Sequence, residues 1–153
     1  MSLPDDIDRL RRVSFLSVLD DECLRLIAFN AEHESLSDAQ TVFFDGEQAL
    51  GALLITGGSL SQMEPVNGEL KERRRLKAGS IVDPYALISD IRRSFTAKAV
   101  GDLSYMLLDR PTFMKAMTNY PDLAQRVQDY LSDDITRVAS SLSNVASRLD
   151  YIN

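Results

Sequence analysis

The sequence predicts a mainly β domain, a compact roll or barrel of short strands with helices before and after it. Short apolar runs separated by Gly, Asp and Asn occupy residues 33–109, and amphipathic helical patterns precede them. A long helical pattern without internal Gly or Pro follows them. The 153 residues have the length of one ordinary domain, which can bury a core without disulfides.

The composition argues against several classes of catalyst. The chain holds one cysteine, Cys23, and one histidine, His33, whereas zinc sites usually draw on several such ligands. Ser–His–Asp catalysis would depend on His33 alone, with no nucleophile motif nearby. We therefore expect no enzyme activity. We interpret Cys23 as a small buried apolar group and His33 as a surface or helix-end residue.

The charge and hydropathy patterns argue against nucleic acid and membrane partners. The net charge is −6, whereas nucleic-acid-binding proteins usually carry a basic stripe and often a high pI. No apolar run approaches the roughly 20 residues that a membrane span needs, and no secretory signal is visible at the N-terminus. We expect a cytoplasmic protein.

The N-terminal segment, residues 1–32, is predicted to form two short helices. Pro4, Asp5 and Asp6 precede the first apolar pattern. The acidic residues at the start of this helix and the arginines near its end suit the helix dipole. Asp20 is the expected N-cap of the second helix, which should end near Asn30 to Glu32. Its predicted apolar face comprises Leu24, Ile27, Ala28 and Ala31.

The central segment, residues 33–109, is predicted to hold the strands. Gly57-Gly58 is expected to stop one strand, and Asn67-Gly68 is the strongest short signal for a hairpin. The stretch Pro84 to Arg93 is predicted as a short helix. The strand predictions are Thr41–Phe44, Ala52–Thr56, Leu60–Val66, Leu70–Leu76, Phe95–Val100 and Leu103–Leu108.

One basic run lies within the predicted strand that returns from the hairpin. It comprises Lys71, Arg73, Arg74, Arg75 and Lys77, interrupted by Glu72. We interpret it as a solvated strand edge that charge protects from aggregation. The alternative is a site for an anionic partner.

The C-terminal segment, residues 110–153, is predicted to be helical. Asp109 is the expected N-cap of its first helix, with Pro111 just inside. The following helix, 121–152, carries a coiled-coil alternation of apolar residues, which predicts a homodimer. The alternative is a helix packed on its own domain. The seam comprises Ile135, Val138, Leu142, Val145, Leu149 and Ile152, extended back by Val127 and Leu131.

Several stretches of the sequence match one known protein family in residue type, in order and in spacing along the chain. The stretches are Phe15–Glu22, Val42–Glu47, Leu53–Leu60, Leu76–Ser80, Leu108–Phe113 and Tyr120–Leu123. Together they resemble the cyclic-nucleotide-binding-domain family. Within that family they resemble in particular the N-terminal sensor domain of bacterial regulators of the catabolite-activator and oxygen-responsive (Crp/Fnr) type. The resemblance runs from Leu10 to Leu149 and implies a double-stranded β-helix, a jelly-roll-like β-roll.

The resemblance also implies where a ligand would bind. The family's phosphate-binding cassette begins Phe-Gly-Glu, runs through a short helix and ends Arg-Ser-Ala or Arg-Thr-Ala. Residues 82–96 align with it, and Arg93-Ser94 fall on the Arg-Ser pair. By this resemblance, the candidate ligand-binding residues are Asp83, Tyr85, Ala86, Arg93 and Ser94.

The other end of the cassette departs from the family pattern. Asp83 replaces the Gly, and Pro84 replaces the Glu that would bind the ribose hydroxyl. Pro84 has neither a carboxylate nor an N–H, and Asp83 brings negative charge towards an anionic phosphate. Phe95 replaces the usual Ala and adds bulk. We expect Arg93 to pair with Asp83 or Asp90 and fill the site.

These observations predict a stand-alone, homodimeric, cyclic-nucleotide-binding-like regulatory module with a degenerate cassette that does not bind cyclic AMP tightly. One alternative is a sensor of a cyclic nucleotide or another small anion that uses Arg93 and Ser94, or the sensor half of a longer transcription regulator. The other is a structural domain whose pocket binds no ligand and whose dimer or β-roll surface binds a protein partner. No further cofactor and no metal are expected.

Overall fold

The computed structural model describes residues 2–122 and 124–132. The helices are α1 (Leu3–Arg11), α2 (Asp21–Asn30) and α3 (Arg110–Thr118), with single 3-10 turns at Ser14–Leu16 and Pro84–Leu87. Residues 121–122 and 124–132 are also helical. The strands are β1 (Glu32–Leu36), β2 (Thr41–Phe43), β3 (Gly51–Val66), β4 (Glu69–Lys77), β5 (Ile81–Val82) and β6 (Thr96–Asp109).

The N-terminal helices begin at side-chain caps. The Ser2 hydroxyl accepts a hydrogen bond from the amide of Asp5, and the Asp20 carboxylate accepts one from Cys23 at 2.8 Å. The predicted cap at Asp20, the end of α2 at Asn30 and the burial of Cys23 are confirmed. His33 has the predicted surface position, with 39% of its side chain exposed, and it lies in β1 rather than at a helix end.

The six strands form one antiparallel sheet with helices at its flank. The strand order is β1-β6-β3-β4, with β2 on β6 and β5 on β3. The sheet is consistent with the expected β-roll. β4 is at the end of this order and pairs with β3 alone, and its basic side chains are exposed. The basic run therefore lies on an exposed strand edge, as predicted, and the alternative of an anionic partner stays open.

The prediction that Gly57-Gly58 stops a strand was wrong, because β3 runs on through both glycines. The pairing of β3 with β6 shifts register between Ile55 and Ser59. Gly58 has a φ of +75°, and a Cβ there would collide with the carbonyl oxygen of Asp102. Gly101, with a φ of +66°, likewise lies inside one strand, β6, where two had been predicted. These glycines allow bulges in a continuous pair of strands.

Two further strands were not predicted. β1 has an almost wholly exposed, polar sequence, and β5 has only two residues. By contrast, the Asn67-Gly68 hairpin is confirmed. Both residues have positive φ, of 53° and 82°, between β3 and β4. A two-residue turn of this kind matches the twist of the strands it joins.

The buried apolar side chains form two clusters on either side of the sheet. The cluster on the helical side includes Leu10, Leu16, Leu24, Leu54, Met106, Leu108 and Phe113. The cluster inside the roll includes Phe43, Leu53, Ile55, Leu60, Val82, Phe95 and Leu103. Leu53 and Leu54 therefore pack on opposite sides, as alternation along β3 requires.

The C-terminal segment begins with the predicted helix α3, and part of the helix that follows packs against the domain. Asp109 caps α3, with its carboxylate accepting from the amide of Thr112 at 3.0 Å. Val127 and Leu131 are each 1% exposed and pack in the helical-side cluster. Both residues, which extend the predicted seam backward, are therefore covered by their own domain, and the assignment of Leu131 to a dimer seam stays a prediction.

The rest of the predicted seam, Ile135 to Ile152, lies outside the described residues. Across the described ranges, no helix has the length and hydropathy that a membrane span requires.

Candidate functional site

The cassette begins where β5 ends. Asp83 follows Val82 and adopts a left-handed conformation, with φ 53° and ψ 58°. Asn and Asp tolerate this region better than most residues, but it is uncommon outside glycine. Pro84 then begins the 3-10 turn, which ends at Leu87.

The predicted helix from Pro84 to Arg93 is too long. Residues 91–93 are extended and pair with residues 46–49 instead. The Arg93 amide donates to the carbonyl of Glu47 at 2.7 Å, and its carbonyl accepts from Gly46 at 2.8 Å. The Ala49 amide donates to the carbonyl of Ile91 at 2.9 Å. These bonds occupy backbone groups that a longer helix would need.

Arg93 is the central side chain of the site. Its Nη1 donates to Oδ2 of Asp83 at 3.0 Å, with the two side chains 5% and 18% exposed. Its guanidinium carbon lies 4.5 Å from the centroid of the Phe43 ring, a cation–π contact. Its Nε is buried and has no hydrogen-bond acceptor among the described residues. Arg93 is thus held by a carboxylate and an aromatic face.

Of the two partners predicted for Arg93, the structure selects Asp83. Asp90 is directed elsewhere: its Oδ1 accepts from Nε2 of Gln48 at 2.9 Å and lies 3.8 Å from Nη2 of Arg110. Asp90 therefore ties the cassette to neighbouring segments and leaves the Arg93–Asp83 pair intact.

The candidate ligand-binding residues do not all converge. Asp83 and Arg93 meet directly. Ser94, next to Arg93, is exposed, while Ala86 is fully buried. Tyr85 is half-buried and packs against the helical-side cluster. The structure thus brings together the acid and the base of the cassette, but not the Arg-Ser pair.

Phe95 occupies the place predicted for it, and it has a partner that was not predicted. It is 8% exposed, and its ring centroid lies 5.2 Å from that of Phe43, with the rings tilted by 56°. Phe43 thereby contacts both Phe95 and the guanidinium of Arg93. No local signal marks Phe43 for this role, because the contacts depend on the pairing of β2 with β6.

A small cavity that opens to solvent adjoins Arg93, and Leu50 on its lining is 62% exposed. Its volume is about 140 Å³, less than half of the roughly 300 Å³ at the lower end of ordinary ligand pockets. Burial, followed by the charge of Glu34, raises the pKa of Tyr105; Arg93 opposes the rise and Glu47 adds to it. The lining residues are Val42, Phe43, Glu47, Gln48, Leu50, Leu53, Arg93, Tyr105 and Leu107.

No protein-family model matches the sequence, and no curated protein matches it. Solved structures do. The N-terminal domain of a transcriptional regulator from Streptomyces coelicolor A3(2) superposes with a TM-score of 0.79 at 16% identity, over 88% of this chain and 95% of that one. A cyclic nucleotide-binding-like protein from Brucella abortus is 27% identical, with a TM-score of 0.70, over 74% of this chain and 98% of that one.

A third match is the sensor domain of the transcriptional regulator DNR from Pseudomonas aeruginosa. Its TM-score is 0.75 at 15% identity, over 90% of this chain and 93% of that one. The resemblance inferred from the sequence is therefore confirmed in the fold. The chain is structurally similar to a cyclic nucleotide-binding-like protein and to the N-terminal and sensor domains of transcriptional regulators.

Proposed function

We propose that the protein is a non-catalytic, cytoplasmic regulatory domain whose cassette is closed by its own ion pair, so that cyclic AMP and cyclic GMP do not bind tightly. The single observation that carries this proposal is the 3.0 Å contact between Nη1 of Arg93 and Oδ2 of Asp83. In the family that the sequence resembles, the cassette arginine pairs with the ligand phosphate. Here a carboxylate of the same chain already neutralises it.

The charges around Arg93 oppose an incoming phosphate. A cyclic nucleotide would have to displace Asp83 from Arg93 or bring a second negative charge beside it. Displacement would leave a carboxylate that is only 18% exposed without its partner, which is unfavourable for a partly buried charge. Pro84 adds to this effect because the first residue of the 3-10 turn offers no N–H to an anion.

The size of the cavity supports the same proposal. At about 140 Å³, it falls well below the roughly 300 to 1,000 Å³ of pockets for ligands of drug size. Phe95 and Phe43 fill space beside Arg93 with packed rings. A cyclic nucleotide would therefore require these groups to move.

We further propose that the domain is a homodimer. The support is the alternation of apolar residues along the C-terminal segment, at Ile135, Val138, Leu142, Val145 and Leu149. Such a regular seam suits a helix partner, and two-fold pairing is the commonest assembly of soluble proteins. Since Leu131 is covered by its own domain, the proposed seam begins after it.

A second candidate is the sensor half of a transcription regulator. The similarity to an N-terminal regulator domain and to a regulator's sensor domain favours it. In that case the ion pair would be one state of a switch, and a signal would act on the C-terminal helix. The reading frame after Asn153 tests this candidate, which requires a DNA-binding domain to follow.

The closed cassette is tested by restoring the residues that the family pattern carries. The double variant Asp83→Gly with Pro84→Glu frees Arg93 and supplies a ribose acceptor, and this variant and wild type are each titrated with cyclic AMP by calorimetry. At about 1.5 to 3 kcal/mol for a charged hydrogen bond, the double variant should bind at least about tenfold more tightly than wild type. Equal, micromolar affinity in both proteins would contradict the proposal.

A further inference from the structure

We infer that the cavity beside Arg93 binds a small, uncharged, largely apolar molecule with one hydrogen-bond acceptor, and does not bind an anion. The inference rests on the proposed function, since the Asp83–Arg93 pair must stay closed for the cavity to keep its size and charge. It goes beyond that proposal because it assigns the remaining space a ligand class of its own.

The size and the walls of the cavity set the bulk of the ligand. The cavity of about 140 Å³ is close in volume to the roughly 150 Å³ that admits benzene in a protein core, but it opens to solvent and has polar walls beside its apolar ones. Four aliphatic side chains line it, which favours an aromatic ring or a branched aliphatic group. They are Val42, Leu50, Leu53 and Leu107.

Two hydrogen-bond donors on the cavity wall favour a ligand that carries a hydrogen-bond acceptor. Arg93 is only 6% exposed, and its Nε is buried without an acceptor among the described residues. Buried donors in native proteins almost always have a partner. Tyr105, whose hydroxyl is a second possible donor, lines the same cavity. One carbonyl or ether oxygen in the cavity would suit either donor.

The surrounding charges exclude an anion. Arg93 is already neutralised by Asp83 at 3.0 Å. Glu47 also lines the cavity, and its charge contributes to the raised pKa of Tyr105, together with that of Glu34. An added carboxylate or phosphate would thus meet more negative than positive charge. A neutral acceptor avoids that repulsion.

The test compares three probes of nearly equal shape. Benzamide is neutral and has an acceptor, benzoate is its anionic counterpart, and toluene has no acceptor. Each is titrated against methyl-labelled protein up to about 5 mM, where millimolar binding is visible by NMR. The reporters are the methyl groups of Val42, Leu53 and Leu107.

We expect benzamide to shift the three reporters in a saturable way. Toluene should bind about threefold to tenfold more weakly, because it lacks one hydrogen bond. Benzoate should give no saturable shift up to about 5 mM, because it would meet the negative charges of Asp83 and Glu47. Binding of benzoate as tight as that of benzamide would overturn the inference, as would the absence of shifts with all three probes.

Two variants test whether the probes bind in this cavity. Tyr105→Phe should weaken benzamide severalfold and leave toluene unchanged, whereas Leu107→Phe should fill the cavity and abolish both. Unchanged benzamide binding in both variants would overturn the site. Cyclic AMP is titrated in parallel: micromolar binding would overturn the proposed function, whereas failure of the probes without cyclic AMP binding would overturn this inference alone.

Discussion

Nη1 of Arg93 donates to Oδ2 of Asp83 at 3.0 Å, across ten positions of sequence, and joins the start of the cassette to its end. The same guanidinium lies over the ring of Phe43. Through these two contacts, Arg93 connects the end of β5, β2 and the segment before β6. Loss of the ion pair should affect both the stability of the fold and the charge inside the roll.

The first prediction concerns this ion pair. Asp83→Asn leaves the Arg93 charge buried without its counter-ion, and should lower the free energy of unfolding by about 3 kcal/mol. The double variant Asp83→Asn with Arg93→Met removes the uncompensated charge and should recover most of that loss. Urea denaturation of wild type, both single variants and the double variant measures the coupling. A neutral effect of Asp83→Asn alone would show that the pair is not closed in solution.

The second prediction compares two adjacent phenylalanines. Phe43 is 3% exposed, whereas Phe44 is 61% exposed. Phe43→Ala should destabilise the fold by about 3 to 5 kcal/mol, because it opens a cavity beside Phe95 and removes the ring under Arg93. Phe44→Ala is the matched control and should change stability by less than about 0.5 kcal/mol. Thermal unfolding distinguishes them, and similar losses in both would refute the assigned orientation of β2.

The third prediction concerns Cys23 and alkaline pH. Burial, and then the charge of Asp20, raises the pKa of Cys23 from 9.0 to about 11. The folded state therefore holds its proton more tightly than the unfolded state does. The resulting stabilisation is fully present below pH 9.0 and is lost as pH rises towards about 11.

The measurement is urea denaturation of wild type and Cys23→Ala between pH 8 and pH 10.5. Tyr105 and Tyr120 also have a raised pKa, mainly because of burial, and contribute to both proteins. The difference in stability between the two proteins should therefore shrink as pH rises. A difference that stays constant would contradict the assigned burial of the thiol.

The fourth prediction compares two leucines, Leu142 in the proposed dimer seam and Leu131 in the core. Leu142→Asp places a carboxylate against its own copy across the two-fold axis, and should convert a homodimer to a folded monomer. Leu131→Asp instead buries a carboxylate in the helical-side cluster, where Leu131 is 1% exposed, and should unfold the domain.

Sedimentation velocity and circular dichroism check both variants. Wild type that is monomeric at tens of micromolar would refute the homodimer, and a dimeric Leu142→Asp variant would move the interface elsewhere. A stable Leu131→Asp variant would contradict the placement of Leu131 in the core.

Local signals in the sequence predicted the local features of the fold. Asp20 and Asp109 were recognisable as caps because the chemistry of a helix start involves only the next three residues. Asn67-Gly68 was recognisable because the hairpin turn needs positive φ at both positions. β1 was missed because its exposed, polar sequence lacks the apolar alternation of a half-buried strand.

The site was predictable only in part. The resemblance identified Arg93 and Asp83, and charge alone suggested their pairing. The choice of Asp83 over Asp90 depends on the left-handed conformation at Asp83 and on the pairing of residues 91–93 with 46–49. The role of Phe43, 50 positions before Arg93, depends on how β2 pairs with β6. Such long-range relationships leave no local pattern in a single sequence.

The measurement that tests the central claim most directly is the dissociation constant of the unmodified protein for cyclic AMP and cyclic GMP, determined by titration calorimetry. With Arg93 committed to Asp83, and with Pro84 in place of an acceptor for the ribose, we expect no saturable heat at micromolar concentrations of either nucleotide. A dissociation constant in the micromolar range or tighter for either one would show that the pair opens readily, and would contradict the closed cassette.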